Sequence, residues 1–235
     1  MARLVAIAMR GGPSYVEAIK RIWDAGDAIA PIDLRLPPAE RERVMAAITP
    51  TAIVEEDGEI RSLDGGQPVE DGDAAVVATS GTTGEPKAVI HTHSSIEASA
   101  NATSTALGVD PTSDRWLACL PLAHIGGLAV VMRCLVTGTD VEVHDRFDPA
   151  AVDRAAADGA TLVSLVTRAL TQVRAEGFRR IIIGGAAPPP DRPPNVIATY
   201  GMTETGSGIV YDRSPLEGLE LSIATPTDDS PRIES

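Results

Sequence analysis

Nine consecutive residues combine small hydroxyl side chains, glycines and a single lysine directly after an apolar run. The segment contains Thr79, Ser80, Gly81, Thr82, Thr83, Gly84 and Lys87. Glycines let backbone N–H groups crowd around an anion, the hydroxyl groups add neutral donors, and the lysine adds a positive charge. The segment therefore predicts a polyphosphate-binding loop, since an ordinary surface loop would not need so many donors. It differs from a Walker loop, because Gly84 and Lys87 are not adjacent and no Ser or Thr follows the lysine.

A tyrosine and a glutamate in the last third of the chain could serve a bound nucleotide. Tyr200 follows a predicted buried strand, so its ring could offer a face to a purine. Glu204 lies at the carboxyl end of the same strand, where open α/β sheets bind ligands, and its carboxylate is the hard oxygen ligand that Mg²⁺ prefers. Two alternatives stay open, because Tyr200 could be an ordinary core aromatic and Glu204 an ordinary surface charge.

Three histidines lie close to these segments. His124 precedes Gly126 and Gly127, which open an apolar stretch. A lone histidine is more often structural than functional, so its context has to decide. His91 and His93 are two residues apart on a predicted strand and would share a face. That spacing would allow a metal pair, but the sequence offers no third ligand near them.

The elements that must position these residues alternate between strand and helix over the first 55 residues. Buried strands are predicted at Leu4–Met9, Ala28–Ile32 and Ala52–Val54. Between them, Ser14 and Glu17 form a capping-box pattern that begins one helix, and a second, more charged helix is predicted over Ala39–Ile48. This βαβαβ order implies a parallel sheet with right-handed crossovers.

The alternation continues after an acidic, glycine-rich segment at residues 56–72, which indicates a hairpin or a linker. Later strands are predicted at Ala74–Ala78, Trp116–Leu120, Val141–Val143, Leu162–Leu165, Ile181–Ile183 and Val196–Thr199. Later helices are predicted near Ile96–Leu107, Gly127–Val136, Ala150–Ala157 and Arg168–Ala175. Five prolines between Gly185 and Asn195 exclude a helix there, so this connection must run extended.

This order predicts an α/β fold with two parallel-sheet subdomains. The first subdomain and its linker would cover residues 1–72, and the second would cover residues 73–223. The polar tail, residues 224–235, is expected to be disordered.

Charge and composition limit the partners and the compartment. A net charge of −13 argues against nucleic acid and against an anionic membrane surface. No apolar run approaches the roughly 18 residues that a membrane helix needs. The two cysteines, Cys119 and Cys134, form neither a disulfide framework nor a metal-ligand pattern, which favours a cytoplasmic protein. Lysine is rare, and Lys20 and Lys87 are its only occurrences.

Four segments together resemble the superfamily of adenylate-forming enzymes, which contains acyl-CoA synthetases, peptide-synthetase adenylation domains and luciferases. The matching segments occur in the family's order at residues 79–87, 121–127, 183–186 and 200–204. The resemblance implies two flavodoxin-like subdomains of the family's N-terminal domain. It also implies ATP-dependent activation of a carboxylic acid as an acyl-AMP, followed by thioester formation, with ATP, Mg²⁺ and CoA as cofactors or co-substrates.

The same resemblance assigns roles to individual residues. It implies that residues 79–84 and Lys87 hold phosphates, and that Glu204, with Thr203, holds Mg²⁺. The residues implied for the adenine and its surroundings are Gly184, Gly185, Ala186, Tyr200, Gly201 and Met202. Those implied for the acid are His124, Gly126, Gly127 and Gly206. His124, Lys87 and Glu204 would be the catalytic residues, with His124 orienting the acid's carboxylate and gating its pocket.

Within this superfamily, residues 120–128, 199–208 and 210–218 are most similar to o-succinylbenzoate–CoA ligases of menaquinone biosynthesis. The resemblance therefore favours o-succinylbenzoate as the acid. Fatty or aryl acids are an alternative, since pocket-lining residues are scattered along the sequence. An acceptor other than CoA is another alternative, and the oligomeric state is open.

The family's small C-terminal lid and its catalytic lysine have no counterpart among these residues, because no lysine follows Lys87. Loss of one such preorganised cation typically lowers the rate by about 10²–10³. Little stand-alone turnover is therefore expected, unless a separate lid domain acts in trans. A non-catalytic nucleotide-binding module is the remaining alternative.

Overall fold

The first third of the chain forms the predicted βαβαβ unit. In this computed structural model, residues 1–80 and 86–221 are described. The unit comprises β1 (Leu4–Ile7), α1 (Pro13–Asp24), β2 (Ala28–Pro31), α2 (Pro38–Ile48) and β3 (Ala52–Val54). Strand β1 pairs in parallel with both β2 and β3, which confirms the predicted parallel sheet.

The start of α1 differs from the prediction. The helix begins at Pro13 and Gly12 is its N-cap residue, with no side-chain hydrogen bond to the cap. The expected capping box of Ser14 and Glu17 is therefore wrong. Proline already has the backbone angle of a first helical residue and lacks the N–H that a cap would satisfy, so the helix starts one residue earlier. Tyr15, Ile19 and Ile22 form its buried face.

Three further strands complete the first sheet. Strand β4 (Ile60–Ser62) forms an antiparallel hairpin with β3, β5 (Asp73–Ser80) pairs in parallel with β2, and β6 (Pro86–Thr92) returns antiparallel to β5. The order across the sheet is β4-β3-β1-β2-β5-β6. The predicted subdomain boundary at residue 72 therefore falls inside this sheet, which continues to Thr92. The acidic segment has the composition of a linker, but the strand after it hydrogen-bonds back to β2.

The second sheet is built from the rest of the chain. Its strands are β7 (Arg115–Ala118), β8 (Asp140–Val143), β9 (Leu162–Val166), β10 (Arg180–Gly184), β11 (Val196–Met202), β12 (Ser207–Tyr211) and β13 (Ser214–Pro215). Its helices are α3 (His93–Leu107), α4 (Ile125–Thr137), α5 (Pro149–Ala157) and α6 (Thr167–Leu170). The order is β13-β12-β11-β10-β9-β7-β8, and only the pairings of β12 are antiparallel. The expected α/β fold with two mostly parallel sheets is confirmed.

Some predicted elements are shorter or placed differently. Helix α6 ends at Leu170 and does not extend to Ala175 as predicted. A separate 3₁₀ turn occupies Ala175–Gly177. The amide of Asn195 donates to the carbonyl oxygens of Ala175 and Phe178, each at 2.8 Å, so the turn is tied to the next crossover. The proline-rich crossover contains no helix, as predicted. The expected disordered tail at 224–235 lies outside the described residues.

His91 and His93 do not share a strand face, contrary to the sequence prediction. His91 lies in β6, whereas His93 is the first residue of α3. The Thr92 side chain accepts a hydrogen bond of 3.1 Å from the Ser95 backbone N–H and so caps α3 between them. The His93 ring packs edge-on against Trp23 at 5.2 Å between ring centroids.

Alternating strand residues divide the core into layers. In β1, Leu4 and Ala6 pack with α2, whereas Val5 and Ile7 face a larger core that also contains residues of α1, α3, α4 and the second sheet. In β7, Trp116 faces that shared core and Leu117 faces α5. Because strand side chains alternate between faces, each sheet is covered on both sides, and the two sheets share one middle layer of helices. Within residues 1–80 and 86–221, no helix is long and apolar enough to span a membrane.

Two neighbouring glycines at the start of α4 provide a matched stability test. A Cβ on Gly127 would lie 2.5 Å from the Pro121 carbonyl oxygen, whereas the nearest atom to one on Gly126 is 3.7 Å away. We expect Gly127→Ala to lower the free energy of unfolding by about 1–3 kcal/mol through overpacking. Gly126→Ala should be neutral or stabilising by up to about 1 kcal/mol. Urea unfolding of both variants checks this, and equal effects would contradict it.

Candidate functional site

A cavity opens where the parallel strands of the second sheet end. Strands β7, β9, β10 and β11 run in the same direction, so the residues that follow them meet at one edge, which is where open α/β sheets bind ligands. This strand-end cavity has a volume of about 220 Å³. Its lining includes Leu120, Val166, Gly184, Gly185, Thr199 and Met202.

One face of α4 forms a wall of the strand-end cavity. Gly126, Ala129, Val130 and Arg133 line it at helical spacing. Gly126 lies in the first turn of α4, and Arg133 lies about 10 Å further along the helix axis at 1.5 Å per residue. Gly127 faces away from the cavity, because it is buried against the backbone of Leu120 and Pro121. That contact gives this glycine a packing role.

Arg133 places a positive charge inside the strand-end cavity. The residue is only 5% exposed, and burial lowers the pKa of its guanidinium group. One terminal nitrogen donates to the Ser207 hydroxyl at 3.1 Å, and the guanidinium carbon lies 5.0 Å from the centroid of the Trp116 ring. Its Nε has no hydrogen-bond partner, and no carboxylate among the described residues forms an ion pair with it. A buried cation of this kind is available to an anionic ligand.

Sequence reasoning missed Arg133, although a signal was present. It is the one charged residue within the apolar run predicted as a helix over residues 127–136. A charged residue on a buried helix normally has a polar or charged partner, so this arginine was a signal of a polar group or a ligand nearby. Its partner in the fold, Ser207, is distant in the sequence, so that signal alone could not have located the cavity.

His124 lies between the two sheets as the N-cap residue of α4. Its side chain is 63% exposed, and its Nε2 is 3.6 Å from a carboxylate oxygen of Asp33, which follows β2 in the first sheet. A side-chain hydrogen bond from Arg35 lowers the pKa of Asp33, and the charge of His124 adds to this effect. Asp33 therefore places a carboxylate beside the imidazole, at a distance longer than a hydrogen bond. Neither Asp33 nor Arg35 was identified from the sequence, because the approach of Asp33 to His124 crosses from one sheet to the other.

A second cavity links His124 to the base of the predicted phosphate loop. This inter-sheet cavity has a volume of about 480 Å³ and is lined by Thr79, Pro86, His124, Thr203 and residues of α2. Thr79 is the register partner of Lys87, and Ser80 is that of Pro86, so the β5–β6 hairpin closes the loop. Lys87 is exposed. Residues Gly81, Thr82, Thr83 and Gly84 lie outside the described residues.

The ends of β10 and β11 form an exposed platform. Tyr200 is 60% exposed, so it is not an ordinary core aromatic. The β10–β11 register pairs Ile183 with Ala198, which brings Gly184–Ala186 alongside Thr199 and Tyr200. Gly201 is required by close packing, since a Cβ there would lie 2.1 Å from the Ser207 carbonyl oxygen. The ring of Tyr200 therefore has a free face beside a stretch of backbone with small side chains.

Glu204 is exposed on a 3₁₀ turn, Thr203–Thr205, that follows β11. The Thr205 hydroxyl accepts from the Met202 backbone N–H at 3.0 Å, and Gly206 adopts φ +71° to end the turn. Gly206 lines a small cavity behind the turn and is not part of the strand-end cavity. In the described part of the chain, no group of three or more His, Cys, Asp or Glu residues could hold a metal. Glu204 could supply one oxygen ligand to a metal that a nucleotide also holds.

Comparison with known proteins gives consistent matches to one group. A family model described as AMP-binding enzyme matches residues 64–232. The probable 2-succinylbenzoate–CoA ligase of Mycobacterium tuberculosis (strain H37Rv) is 35% identical over 207 residues, covering 77% of this chain and 53% of the relative. The 2-succinylbenzoate–CoA ligase of Enterococcus faecalis is 35% identical over 153 residues, covering 58% of this chain and 31% of the relative. The chain thus spans about half or less of the length of these relatives.

Solved structures match over nearly the whole chain. O-succinylbenzoate coenzyme A synthetase from Bacillus subtilis, in complex with AMP, superposes with a TM-score of 0.77 at 26% identity, covering 92% of this chain and 68% of that one. The same enzyme in complex with the acyl-adenylate intermediate superposes with a TM-score of 0.80 at 25% identity, covering 95% and 56%. The arrangement of the two sheets is therefore shared with these proteins.

The contact between Asp33 and Arg35 gives a stability difference that depends on pH. The pKa of Asp33 is lowered in the folded state, so its stabilising contribution is present above the unfolded value of about 4 and is lost as pH falls through the lower folded value. We expect Asp33→Asn to be less stable than the parent at pH 7, with the difference shrinking below about pH 4. Urea unfolding between pH 7 and pH 3 measures this, with the exposed Asp64→Asn as control. A difference that stays constant down to pH 3 would contradict the expectation.

Proposed function

The chain belongs to the AMP-binding enzyme family, and on that basis we propose that it forms the core of an acid–CoA ligase. This core binds ATP and a carboxylic acid and joins them as an acyl-adenylate with release of pyrophosphate. The acyl group is then transferred to the CoA thiol, and AMP leaves. The acid we propose is o-succinylbenzoate, the acid after which the related ligases of Enterococcus faecalis and Mycobacterium tuberculosis are named.

Arg133 is the observation that carries this choice of acid. A largely apolar cavity lined by a buried guanidinium, with no carboxylate partner among the described residues, fits an acid with a second negative charge. o-Succinylbenzoate has two carboxylates joined by an aromatic ring and a short chain. One carboxylate is activated near His124, and the other pairs with Arg133 about 10 Å along α4 from Gly126. A fatty acid has no second anion and would leave the arginine charge unpaired in contact with a hydrocarbon chain.

The nucleotide is proposed to occupy the edge between the two sheets. Adenine stacks on Tyr200 and rests on the backbone of Gly184–Ala186, a role supported by the 60% exposure of the ring and by the small neighbouring residues. Residues 79–84 and Lys87 hold the phosphates, and Thr203 contacts them from the other side. Glu204 holds Mg²⁺, which when bound neutralises charge on the phosphates.

His124 and Asp33 are proposed to position the acid. The Asp33 carboxylate lies 3.6 Å from the imidazole, which lines the inter-sheet cavity, and there a His124 N–H can donate to the acid's reacting carboxylate. The acid carboxylate approaches from the strand-end cavity. CoA, as the proposed acceptor, approaches through the larger inter-sheet cavity, which also reaches His124. Separate entrances let the thiol arrive while the acyl group stays in place.

The first expectation concerns nucleotide binding. Mg·ATP should raise the melting temperature, since a ligand at about 100 times its Kd stabilises the native state by about 2.7 kcal/mol. Glu204→Gln should reduce the part of the shift that depends on Mg²⁺ and leave the shift caused by AMP unchanged. Thermal melts of the parent and of Glu204→Gln measure this, with the exposed Glu217→Gln as control. The absence of any shift for the parent at millimolar ATP would refute the nucleotide site.

The second expectation concerns the acid. Calorimetry should show tighter binding of o-succinylbenzoate, or of its non-hydrolysable acyl-AMP mimic, than of palmitate or benzoate. Arg133→Met should weaken o-succinylbenzoate binding by about 10- to 100-fold, because a hydrogen-bonded charge contact worth about 1.5–3 kcal/mol is lost. Binding of Mg·ATP should not change. The exposed Arg168→Met is the control, and a preference for palmitate would place the chain in a fatty-acid branch.

A further inference from the structure

His91 is a buried histidine that the proposed chemistry does not use. It lies on β6, the strand that leads away from the phosphate loop, and is only 4% exposed. Its Nε2 has no hydrogen-bond partner within residues 1–80 and 86–221. A buried polar atom without a partner costs free energy, so the position calls for an explanation other than core packing.

The ring of His91 lies against the turn that carries Glu204. A Cβ built on Gly206 would lie 3.5 Å from His91 Nδ1 and 3.6 Å from Cε1. Burial lowers the pKa of His91, while a hydrogen bond with the Thr203 backbone and the charge of Glu204 oppose that effect. Nδ1 is the ring nitrogen on the side of the turn, and the imidazole therefore lies beside the turn near both Thr203 and Gly206.

The other side of the ring lies at a small cavity of about 80 Å³. The cavity is lined by the polar residues Ser99, Arg133 and Glu204 and by apolar residues that include Ile96 and Met132. It lies behind the turn and is separate from the inter-sheet cavity.

We propose that His91 is a positioning residue that holds the Thr203–Thr205 turn, and with it Glu204, in place against strand β6. This inference rests on the proposed nucleotide site. Strand β6 is hydrogen-bonded to β5 along the phosphate-loop hairpin, so the base of the loop and the His91 backbone belong to one rigid ladder. The ring then fixes the distance between that ladder and the carboxylate for Mg²⁺. Displacements of about 1 Å in such geometry are enough to weaken a site.

A metal-binding role for His91 is not supported. His93, the other histidine of the segment, is exposed and packs on Trp23, and the described residues contain no cluster suited to a metal. The imidazole also lies behind the turn and does not reach the side on which the phosphates are proposed to bind. Its effect must therefore pass through Thr203, Glu204 and Gly206.

The test compares Mg·ATP with AMP, which has no β- or γ-phosphate. Calorimetry on the full 235-residue chain should show that His91→Leu weakens Mg·ATP binding by about tenfold, the loss expected for one net hydrogen bond. AMP binding should stay within about twofold, because the adenine platform is unchanged. His93→Leu, the same substitution two residues further on, should alter neither affinity.

Two polar variants keep the test informative if His91→Leu does not fold. Asparagine places an N–H near the position of Nδ1, so His91→Asn should retain most of the Mg·ATP affinity. Glutamine places its N–H nearer the position of Nε2, so His91→Gln should lose affinity as His91→Leu does. Equal Mg·ATP affinity in the parent, His91→Leu and His91→Gln would overturn the role of His91 but would leave the proposed function intact. Equal loss of AMP and Mg·ATP binding would show a merely structural role and would also overturn the positioning role. A parent chain that binds neither nucleotide would overturn the proposed function, and this inference with it.

Discussion

The packing of α4 between the two sheets is the constraint on which the rest of the site depends. Leu128, Val131 and Met132 belong to the core that both sheets share, so the helix cannot move without disturbing both. Its first turn is held against the backbone of Leu120 and Pro121 by a glycine that leaves no room for a side chain. With the helix fixed, His124 is presented at one end and Arg133 is held inside the strand-end cavity. A close-packed interior thus fixes the relative positions of two residues that are nine positions apart in the sequence.

Charge is distributed so that an acidic protein keeps a few cations available. The net charge is −13, and several arginines in the described part of the chain are paired with carboxylates, as Arg35 is with Asp33 and Arg179 is with Asp114. Arg133 differs, because its neighbours are a hydroxyl group and an aromatic ring. An acidic surface does not weaken this charge much, since it is buried and interacts over short distances in a medium of low polarity. Local geometry, more than net charge, therefore decides where an anion can bind.

Much of the fold could be predicted from pattern alone. The apolar runs at Leu4–Ile7, Ala28–Pro31 and Ile181–Ile183 became parallel strands, because short uninterrupted β-branched and aliphatic runs suit a sheet covered on both faces. Errors occurred where a local signal competed with longer-range pairing. The acidic segment before Asp73 indicated a boundary, but β5 pairs with β2. Helix α6 was predicted too long. The Arg174 backbone N–H, which would continue the helix by donating to Leu170, donates instead to the distant Asp153 carboxylate at 2.8 Å.

The sequence by itself determined which chemical groups are available. They can be recognised because each lies within a short continuous motif: the hydroxyl- and glycine-rich segment at residues 79–84 with Lys87, the segment Tyr200–Glu204, and the segment that contains His124. Only the tertiary structure decided how these groups are oriented and what completes them. Asp33 lies near His124, Arg133 donates to Ser207, and His91 lies beside the turn that carries Glu204. Each of these pairs is formed by residues far apart in the sequence. Such contacts depend on strand order and on the side of the sheet that each residue faces. A one-dimensional pattern does not contain that information, because strand order is set by which buried faces pack together.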